Sequence, residues 1–384
     1  MIPKHSFSAL AITALIAFTA NGSNAEGYKL TNLVANKQIY GAQILDKAMV
    51  NAWGLANRPA GAGGHIWINN TDTGTVGLYI GDTPEQNLYQ DETPLITIAL
   101  PKNSKEEHSA PTGQVFNGND KEFIITQDGI TGAAKFMFVT EEGTLSAWTE
   151  RKREDGKFDR PKSSLVMIDN SKKGAVYKGL AISTKPDGNY LYAANFAGRK
   201  IDVFDNTFKP TQLGKQAFVL PKGSMPSGYS PFNIQAIDGS LYVIYAKLAR
   251  HSKEAGEEEK GEGLGYVAEF DFDGNFKRML EGGKMLNAPW GIALAPAEFG
   301  IHSGHLLVGN FGDGRIIAFD RQTGKQLEPL KTPKGEPIEI DGLWGLLFGN
   351  GVHLGYANHL YFAAGPNDEK DGVFGKLEPV GKPR

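Results

Sequence analysis

The stretch Pro289-Trp290-Gly291-Ile292 decides the fold, because its pattern of a bulky residue, then Gly or Asn, then an apolar strand occurs six times in the chain. The other five copies are Ala52-Trp53-Gly54-Leu55, Pro111-Thr112-Gly113-Gln114-Val115, Tyr177-Lys178-Gly179-Leu180, Pro231-Phe232-Asn233-Ile234 and Leu343-Trp344-Gly345-Leu346. The Gly or Asn positions lie 59, 66, 54, 58 and 54 residues apart. Four-stranded propeller blades repeat every ~40–50 residues, so this spacing predicts six blades with long loops.

The fifth copy shows how each unit divides into strands. Residues 292–295 form a short apolar run suited to an inner strand, and residues 306–309 form a second apolar run. A turn at residues 310–314 leads into a third run, residues 315–320, and a further turn leads toward an outer strand. In the second unit the same reading assigns residues 123–126 to the second strand. Each unit is therefore predicted to be one blade of four antiparallel strands.

The two ends of the chain are predicted to complete one blade together. The sixth unit has a predicted third strand at residues 372–377 and then reaches Arg384, which leaves no room for an outer strand. Residues 28–34 precede the first unit and alternate like a strand. We therefore predict an all-β, six-bladed β-propeller in which the N-terminal strand joins the last blade and hides two open sheet edges. Residues 26–384 are expected to form this single domain.

Residues 1–25 have the features of an export signal. Lys4 and His5 precede an apolar run at residues 7–20, and Ser23 and Ala25 fit the small-x-small rule for cleavage. The run is short for a membrane span, so we favour cleavage over an uncleaved anchor. The mature protein is predicted to begin at Glu26 and to be secreted or periplasmic.

Composition excludes several function classes. The chain has no Cys, which excludes thiol nucleophiles, zinc sites built on Cys, iron–sulfur clusters and a lipid-anchored export signal. Its formal charge of −3 gives no basic surface for nucleic acid. We expect no nucleic-acid partner, no transmembrane segment in the mature chain, and a monomer.

Three stretches of the sequence carry a resemblance to a known family. They are Asn51-Ala52-Trp53-Gly54-Leu55-Ala56, Ala175-Val176-Tyr177-Lys178-Gly179-Leu180-Ala181 and Leu306-Leu307-Val308-Gly309-Asn310-Phe311-Gly312-Asp313-Gly314-Arg315-Ile316. They resemble a family of exported bacterial six-bladed propellers without an assigned biochemical function, which is loosely similar to NHL-repeat and gluconolactonase-type propellers. The resemblance spans residues 28–377 and implies the fold, but it brings no catalytic residues.

Related propellers place the loops entering each inner strand and the turns after each second strand on one face, around the mouth of the central channel. This geometry predicts a ligand site built from amide, carboxylate and phenol groups at that mouth. The candidate ligand-binding residues are Asn70, Asp72, Asp128, Asn195, Tyr245, Asn310, Asp313 and Asp341.

The same residues have structural roles as alternatives. Asn at a turn caps its own backbone, and the rings of Trp53, Trp290 and Trp344 can fill the wedges between blades. The oxygen atoms of the candidate residues also suit Ca²⁺ or another divalent cation, which takes 6–8 oxygen ligands. The lactonase ligand pattern is not reproduced residue by residue, so the metal ligands are not identified.

Two functions follow from these alternatives. The first is an exported, non-catalytic module that binds a protein or a small molecule at the mouth. The second is a divalent-metal-dependent hydrolase or lactonase, in which a channel cation polarises a carbonyl and Asp72, Asp313 or Asp341 activates water. We favour the binding module, because a fold shared by many functions licenses no chemistry without a recognisable site.

Two further segments differ from the repeat. Residues 247–265 form a charged, Gly-containing insertion in the fourth unit, and the topology predicts that it rises from the mouth face as a lid or a partner contact. His302 and His305 are spaced as a pair, and we expect them to be exposed on the opposite face.

Overall fold

The computed structural model describes residues 26–91, 95–249 and 256–381. The predicted signal peptide, residues 1–25, lies outside the described residues. Across the described ranges, no helix has the length and apolar character needed to cross a membrane.

Each repeat unit forms one antiparallel sheet whose inner strand contains the Gly or Asn of the motif, and the six sheets form a six-bladed propeller. From inner to outer strand, blade 1 contains Ala52–Ala56, Ile66–Asn70, Thr75–Ile80 and Tyr89–Gln90. Blade 2 contains Pro111–Phe116, Phe136–Thr140, Thr144–Trp148 and Leu165–Asp169. Blade 3 contains Tyr177–Lys185, Gly188–Asn195, Lys200–Phe204 and Pro210–Thr211. Blade 4 contains Tyr229–Ile237, Ser240–Leu248, Gly265–Phe270 and Phe276–Met279. Blade 5 contains Pro289–Leu294, Leu306–Asn310, Ile316–Phe319 and Gln326–Pro329. Blade 6 contains Leu343–Phe348, Leu360–Ala364, Val373–Val380 and, as its outer strand, Gly27–Ala35.

Several short strands and turns lie outside the four-stranded pattern of the blades. Ile96–Thr97 adds to the third strand of blade 1, Glu258–Glu259 to the second strand of blade 4, and Ile44–Leu45 runs parallel to the N-terminal strand. Two hairpins lie outside the blades, Ile124–Gln127 with Ile130–Ala133 and Arg151–Lys152 with Phe158–Asp159. The 3-10 turns are Gln38–Tyr40, Thr71–Thr73, Ser171–Lys173 and Gly300–His302.

The N-terminal strand completes blade 6, as predicted. Gly27–Ala35 pairs antiparallel with Val373–Val380, from Gly27 opposite Val380 to Ala35 opposite Val373. Tyr28 is buried and donates its hydroxyl hydrogen to the carbonyl oxygen of Phe299 in the neighbouring blade, at 2.9 Å. The strand therefore closes the ring and ties blade 6 to blade 5.

Apolar side chains fill the six wedges between neighbouring blades. Between blades 1 and 2, Trp67 stacks on Phe136 with ring centroids 3.8 Å apart, and Trp148 lies edge-on to Trp67 at 4.9 Å. Equivalent clusters join every other pair of neighbours, including blades 6 and 1. A further cluster within the described residues draws side chains from five blades. Only the ring axis touches that many blades, so this cluster lies in the channel.

The repeated Gly is required by close approach of the inner strands. A Cβ added to Gly54 would lie 2.2 Å from the carbonyl oxygen of Thr112 in the next blade, and one added to Gly345 would lie 2.5 Å from that of Trp53. Asn233 takes the Gly position in blade 4, and its Nδ2 donates to the carbonyl oxygen of Trp290 at 2.8 Å. The Gly positions thus set the diameter of the ring.

Two expectations from the sequence are wrong. Residues 123–126 are not the second strand of blade 2, because Ile124–Gln127 forms a separate hairpin and Phe136–Thr140 takes the place in the sheet. His302 is not exposed; its accessible fraction is 7%, and its ring stacks against Tyr28 of the closing strand, with centroids 6.0 Å apart. The sequence does not show which strand pairs with Ile124–Gln127, nor that Tyr28 of the closing strand packs against His302.

Candidate functional site at the channel mouth

An aromatic plug fills the mouth end of the channel. Trp344 is sandwiched between Trp53 and Phe311, with ring centroids 3.6 and 3.7 Å away, and Trp290 meets Trp53 and Trp344 edge-on at 6.0 Å. As a structural alternative, the sequence predicted that the three Trp rings fill the wedges between neighbouring blades. They instead stack on one another at the axis, because the residue before each repeat Gly points into the channel.

The same repeat position supplies one charged residue. In the six blades it holds, in order, Trp53, Thr112, Lys178, Phe232, Trp290 and Trp344. Lys178 is 3% exposed, and its ammonium lies 5.1 Å from the ring centroid of Trp53. A buried ammonium against an indole face is a cation–π contact, which is strengthened by exclusion of water.

Carboxylates surround Lys178 on the mouth side. Its ammonium forms a salt bridge with Glu141. Burial alone would lower the pKa of Lys178, but the charges of Glu141, Glu258 and Glu257 raise it above its ordinary value. Lys178 is therefore held in its protonated form and is a fixed positive charge in the floor of the mouth.

Glu369 is the most perturbed carboxyl of this group. Burial, and then the neighbouring charge of Glu258, raise the pKa of Glu369 to about 7, although Lys178 and a hydrogen bond from Asn51 act in the opposite direction. Burial likewise raises the pKa of Glu258. The mouth thus holds more carboxylate than its own cations neutralise.

Asn51 connects the plug to these carboxylates. Its Oδ1 accepts a hydrogen bond from the indole N–H of Trp344 at 2.9 Å, and its Nδ2 donates to Glu369 at 2.9 Å and to Asp72 at 3.3 Å. One amide therefore fixes the orientation of a plug ring and of two acidic side chains.

The backbone around this amide is strained. Asn51 has a φ of 50°, and three consecutive residues, Asn367, Asp368 and Glu369, have φ of 61°, 50° and 65°. Left-handed backbone at non-Gly residues costs free energy and is retained where surrounding structure imposes it, often at functional sites. The strain supports a functional role for this end of the channel.

The blade 4 insertion lies across the mouth. Glu258–Glu259 pairs with Lys247 and Leu248, and the backbone N–H of Gly261 donates to Asn287 of blade 5 at 2.7 Å. Lys260 extends over the plug, with its ammonium 4.0 Å from the ring centroid of Phe311. Residues 256–265 of the insertion therefore lie on the mouth face, from which the topology predicted that the insertion rises.

An acidic cavity adjoins the mouth between blades 1 and 2. It measures about 530 Å³ and is lined by Thr71, Asp72, Glu106, His108, Ala110, Glu141 and Glu142. Burial raises the pKa of Asp72 and that of Glu142. Glu141 borders this cavity and also pairs with Lys178, so the acidic surface is continuous from the cavity to the plug.

Several predicted site residues serve as turn caps. Asn195 accepts backbone hydrogen bonds from Gly198 and Val176 at 2.9 and 3.3 Å. Asn310 donates to Asp313 at 3.0 Å, and Asp313 accepts from the backbone of Arg315 at 3.1 Å.

Two more predicted residues are held in similar local bonds. Asn70 is buried and donates to Thr75 at 3.1 Å. Asp341 accepts from the backbone N–H of Asn367 at 2.9 Å. These residues lie on the mouth face, but of the predicted set only Asp72 contacts the Asn51–Glu369 group.

Two predicted residues lie elsewhere. Tyr245 is 4% exposed and belongs to the apolar cluster between blades 3 and 4, where burial raises the pKa of its hydroxyl. Asp128 lies in the turn of the hairpin Ile124–Gln127 with Ile130–Ala133. That hairpin connects the first and second strands of blade 2, so it projects from the face opposite the mouth. Both misplacements follow from strand assignments that the sequence leaves ambiguous.

The predicted divalent cation stays a prediction. Among the described residues, no group of three or more His, Asp or Glu side chains is arranged to hold a metal ion. Asp72, Asp313 and Asp341 in particular belong to three separate hydrogen-bonded groups.

Four residues of this site were not among the predicted ligand-binding residues: Lys178, Glu141, Glu258 and Glu369. Lys178 could have been found, because it is the one charged residue at the repeat position before the Gly. The three Glu residues follow the second strands of blades 2, 4 and 6, but nothing local distinguishes them from other exposed Glu. Their proximity follows only from the closure of the ring.

The sequence has relatives in a giant virus. It is 32% identical over 356 residues to each of two uncharacterized proteins of Acanthamoeba polyphaga mimivirus, covering 91% of this chain and 80% and 85% of those proteins. The chain belongs to their family. No protein-family model matches it. These relatives give no support to the predicted bacterial source or to export, which both stay predictions.

Solved structures agree with the propeller fold. A glucose dehydrogenase aligns with a TM-score of 0.50 at 14% identity, covering 91% of this chain and 98% of that one. An α-L-arabinofuranosidase from Fusarium graminearum aligns with a TM-score of 0.52 at 8% identity, covering 91% and 97%. A periplasmic gluconolactonase from Pseudomonas aeruginosa has a TM-score of 0.43 at 16% identity, covering 86% and 85%. At these identities the first two similarities concern the fold alone, and nothing is concluded from the third, whose TM-score is below 0.5.

Proposed function

We propose that this chain is a non-catalytic binding module that takes a cationic group, an alkylammonium or a guanidinium, at the channel mouth. The observation that carries the proposal is Lys260, whose ammonium rests 4.0 Å from the ring centroid of Phe311. The chain's own insertion thereby occupies the position that a ligand cation would take, between an aromatic floor and a carboxylate rim.

The charge balance of the mouth supports the same ligand class. Two ammonium groups, those of Lys178 and Lys260, lie among the carboxyl groups of Glu141, Glu257, Glu258 and Glu369. Burial, and then the charge of a neighbouring Glu, raise the pKa of Glu369 and that of Glu258, while Lys178 acts in the opposite direction. A bound cation would favour their charged forms, and cation–π contact would add ~0.5–2 kcal/mol.

The protonated state of Lys178 supports binding rather than covalent catalysis. A catalytic Lys nucleophile needs a depressed pKa, whereas the pKa of Lys178 is raised by its carboxylate neighbours. Its role in the proposal is to orient Glu141 and to space the rim carboxylates around the plug.

The experiment is a titration followed by Trp fluorescence, because three of the Trp residues form the plug. Tetralysine and tetramethylammonium are the cationic probes, and tetraglutamate is the anionic one. We expect the cationic probes to change the emission and to bind more weakly as salt increases, and Glu369→Gln to weaken binding at least several-fold. Equal binding of tetraglutamate and tetralysine would contradict the proposal.

A matched control separates the mouth from general surface charge. Glu154→Gln removes an exposed carboxylate from the loop between the third and outer strands of blade 2, on the opposite face. It should bind the probes as the wild type does. Comparing the affinities for tetralysine and for tetramethylammonium also distinguishes a polypeptide partner from a small organic cation.

The metal-dependent hydrolase is the alternative. It predicts a stoichiometric divalent ion in protein purified without chelators, which elemental analysis detects directly. Finding such an ion, together with hydrolysis of a lactone that stops on its removal, would replace the binding proposal.

Export is part of the same proposal. It predicts a mature protein that begins at Glu26, which intact-mass measurement of secreted material would establish.

A further inference from the structure

Blade 3 lacks the mouth-side half of its outer strand. That strand, Pro210–Thr211, pairs only with the last two residues of the third strand, Lys200–Phe204. Within the described parts of the chain, residues 200–202 have no strand partner on their outer side. In blade 1 the corresponding residues, Thr75 and Val76, pair with Ile96–Thr97. The sheet edge is therefore open in blade 3 where it is closed in blade 1.

The backbone of Ile201 carries the unpaired polar groups of this edge. On the outer side of the strand, the N–H of Asp205 donates to the carbonyl oxygen of Lys209 at 2.9 Å. Alternate residues of an antiparallel strand direct their N–H and C=O groups to the same side, so those of Val203 and Ile201 also point outward. Val203 pairs with Thr211 there, whereas no described residue pairs with the backbone of Ile201 on this side.

Comparison with other blades shows that this position is normally covered. The residues that correspond to Ile201 in blades 1 and 5 are Val76 and Ile316, and both are fully buried. The carbonyl oxygen of Ile316 accepts a backbone hydrogen bond from Leu330 at 2.9 Å. Ile201 is only partly buried. An unpaired strand edge is a template for a further strand, so the backbone and the side chain of Ile201 both indicate a place for an added segment.

A groove runs along the open edge. It measures about 750 Å³, and its walls include the third strand of blade 3, Thr211 and Gln212. Asn170 and Lys173, from the connection between blades 2 and 3, form the opposite wall. Lys173 donates to Asn170 at 2.9 Å, and no carboxylate of the described residues lies within salt-bridge distance of its ammonium. The groove therefore contains a cation without an ionic partner.

The one carboxylate that lines the groove is already satisfied within blade 3. Asp202 forms a salt bridge with Lys200 at 2.7 Å, and it accepts hydrogen bonds from Tyr177 and Asn195 at 2.9 Å each. Lys200 remains 60% exposed. With Lys173 and Lys200 against Asp202, the lining carries a net positive charge, which favours a carboxylate in a segment that adds here.

We propose that an extended, acidic segment of a partner protein adds to blade 3 as the missing half of its outer strand. An aliphatic residue of the segment lies opposite Ile201, as Ile96 lies opposite Val76 in blade 1. The acidic residue that follows it lies opposite Lys200 and beside Lys173, and opposite charges across a strand pair stabilise the pairing. The open stretch spans ~10 Å at ~3.3 Å per residue, which suits a short peptide segment. The edge lies on the outer rim of the ring, so this inference does not depend on the cation site.

The test is an NMR titration of the isotope-labelled full chain with the peptide acetyl-Ser-Ile-Glu-Val-Ser-amide up to millimolar concentration. We expect saturable shifts of the backbone amides of residues 200–202 and slower hydrogen exchange at Ile201. Two control peptides change one feature each. N-methylation of the Ile removes the backbone donor that faces Ile201, and Lys in place of Glu reverses the charge. Each control peptide should bind at least several-fold more weakly.

A pair of protein variants tests the charge of the groove. Lys173→Gln should weaken binding of the Glu peptide several-fold, whereas Lys172→Gln, at an exposed neighbouring residue outside the groove, should not. Absence of saturable shifts, equal affinity for the parent peptide and either control peptide, or unchanged affinity of Lys173→Gln each overturns the proposal. Concentration-dependent shifts of the same amides without peptide would assign the edge to a second copy of the chain and overturn it as well.

Discussion

At the scale of single residues, Asn51 links the aromatic plug to the acidic side chains of the mouth. Its side chain bonds to the plug through Trp344 and to the rim through Glu369 and Asp72. Its left-handed backbone suits Asn, whose short polar side chain tolerates that conformation better than most residues do.

Two substitutions at this position separate side chain from backbone. Asn51→Gly keeps the left-handed conformation accessible but leaves the buried indole N–H of Trp344 unpaired, which should lower the free energy of unfolding by about 1–3 kcal/mol. Asn51→Ala adds the backbone penalty of about 1–2 kcal/mol. Urea unfolding measures both, and equal stability of the two variants would show that the backbone is not strained.

His302 makes stability depend on pH. Burial, then the neighbouring His305 and to a smaller extent Lys331, lower the pKa of His302 to about 4 in the folded protein, while Glu328 acts in the opposite direction. The unfolded chain binds a proton near pH 6.5. Between these values the unfolded state holds more protons, so stability falls as pH drops from 6.5 to 4, by about 3 kcal/mol.

Unfolding followed at a series of pH values checks this expectation. His302→Phe keeps an aromatic ring against Tyr28 but cannot titrate, so it should flatten the decline between pH 6.5 and 4. His353→Gln replaces an exposed His and is the control. A decline of the same size in His302→Phe would assign the pH dependence to other groups.

At the scale of elements, residues 256–265 of the insertion lie over the plug. Lys260 holds the position above Phe311 that the proposal gives to a ligand cation. The cover and the ligand therefore compete for one aromatic face.

Removing the competing ammonium should strengthen binding. Lys260→Ala is expected to raise the affinity for tetralysine by up to about fivefold, which corresponds to a cation–π contact of ~1 kcal/mol. Lys157→Ala, at an exposed position in the opposite-face loop of blade 2, should leave the affinity unchanged. Weaker binding of tetralysine by Lys260→Ala would contradict competition between Lys260 and a ligand cation.

The elements also show what local sequence can and cannot predict. The repeat that contains Trp290-Gly291 was sufficient to predict the six inner strands. Its Gly recurs because contact with the next blade leaves no room for a side chain. The segment around Ile124 reads as a strand and is one, yet its partner is a local hairpin outside the blade. Strand character is local, whereas sheet membership depends on which strand arrives beside it.

At the scale of the whole molecule, ring closure determines both stability and site. The pairing of Gly27–Ala35 with Val373–Val380 was predictable, since the last unit lacks an outer strand. The meeting of Glu141, Glu258 and Glu369 around Lys178 was not predictable, because these residues lie far apart in sequence and converge only at the axis.

Deleting residues 28–34 should therefore be severe. It removes most of the outer strand of blade 6 and exposes the edge of Val373–Val380, and each lost backbone hydrogen bond costs about 1 kcal/mol net. Thermal unfolding should lose its cooperativity. An unchanged melting temperature would contradict closure by the N-terminal strand.

The cation site is tested most directly by a crystal structure of the protein with tetralysine at saturating concentration. We predict a peptide ammonium over the ring of Phe311, with Lys260 displaced and with Glu258 and Glu369 as its ionic partners. An unmoved Lys260 above Phe311, with the peptide bound elsewhere or not at all, would contradict it.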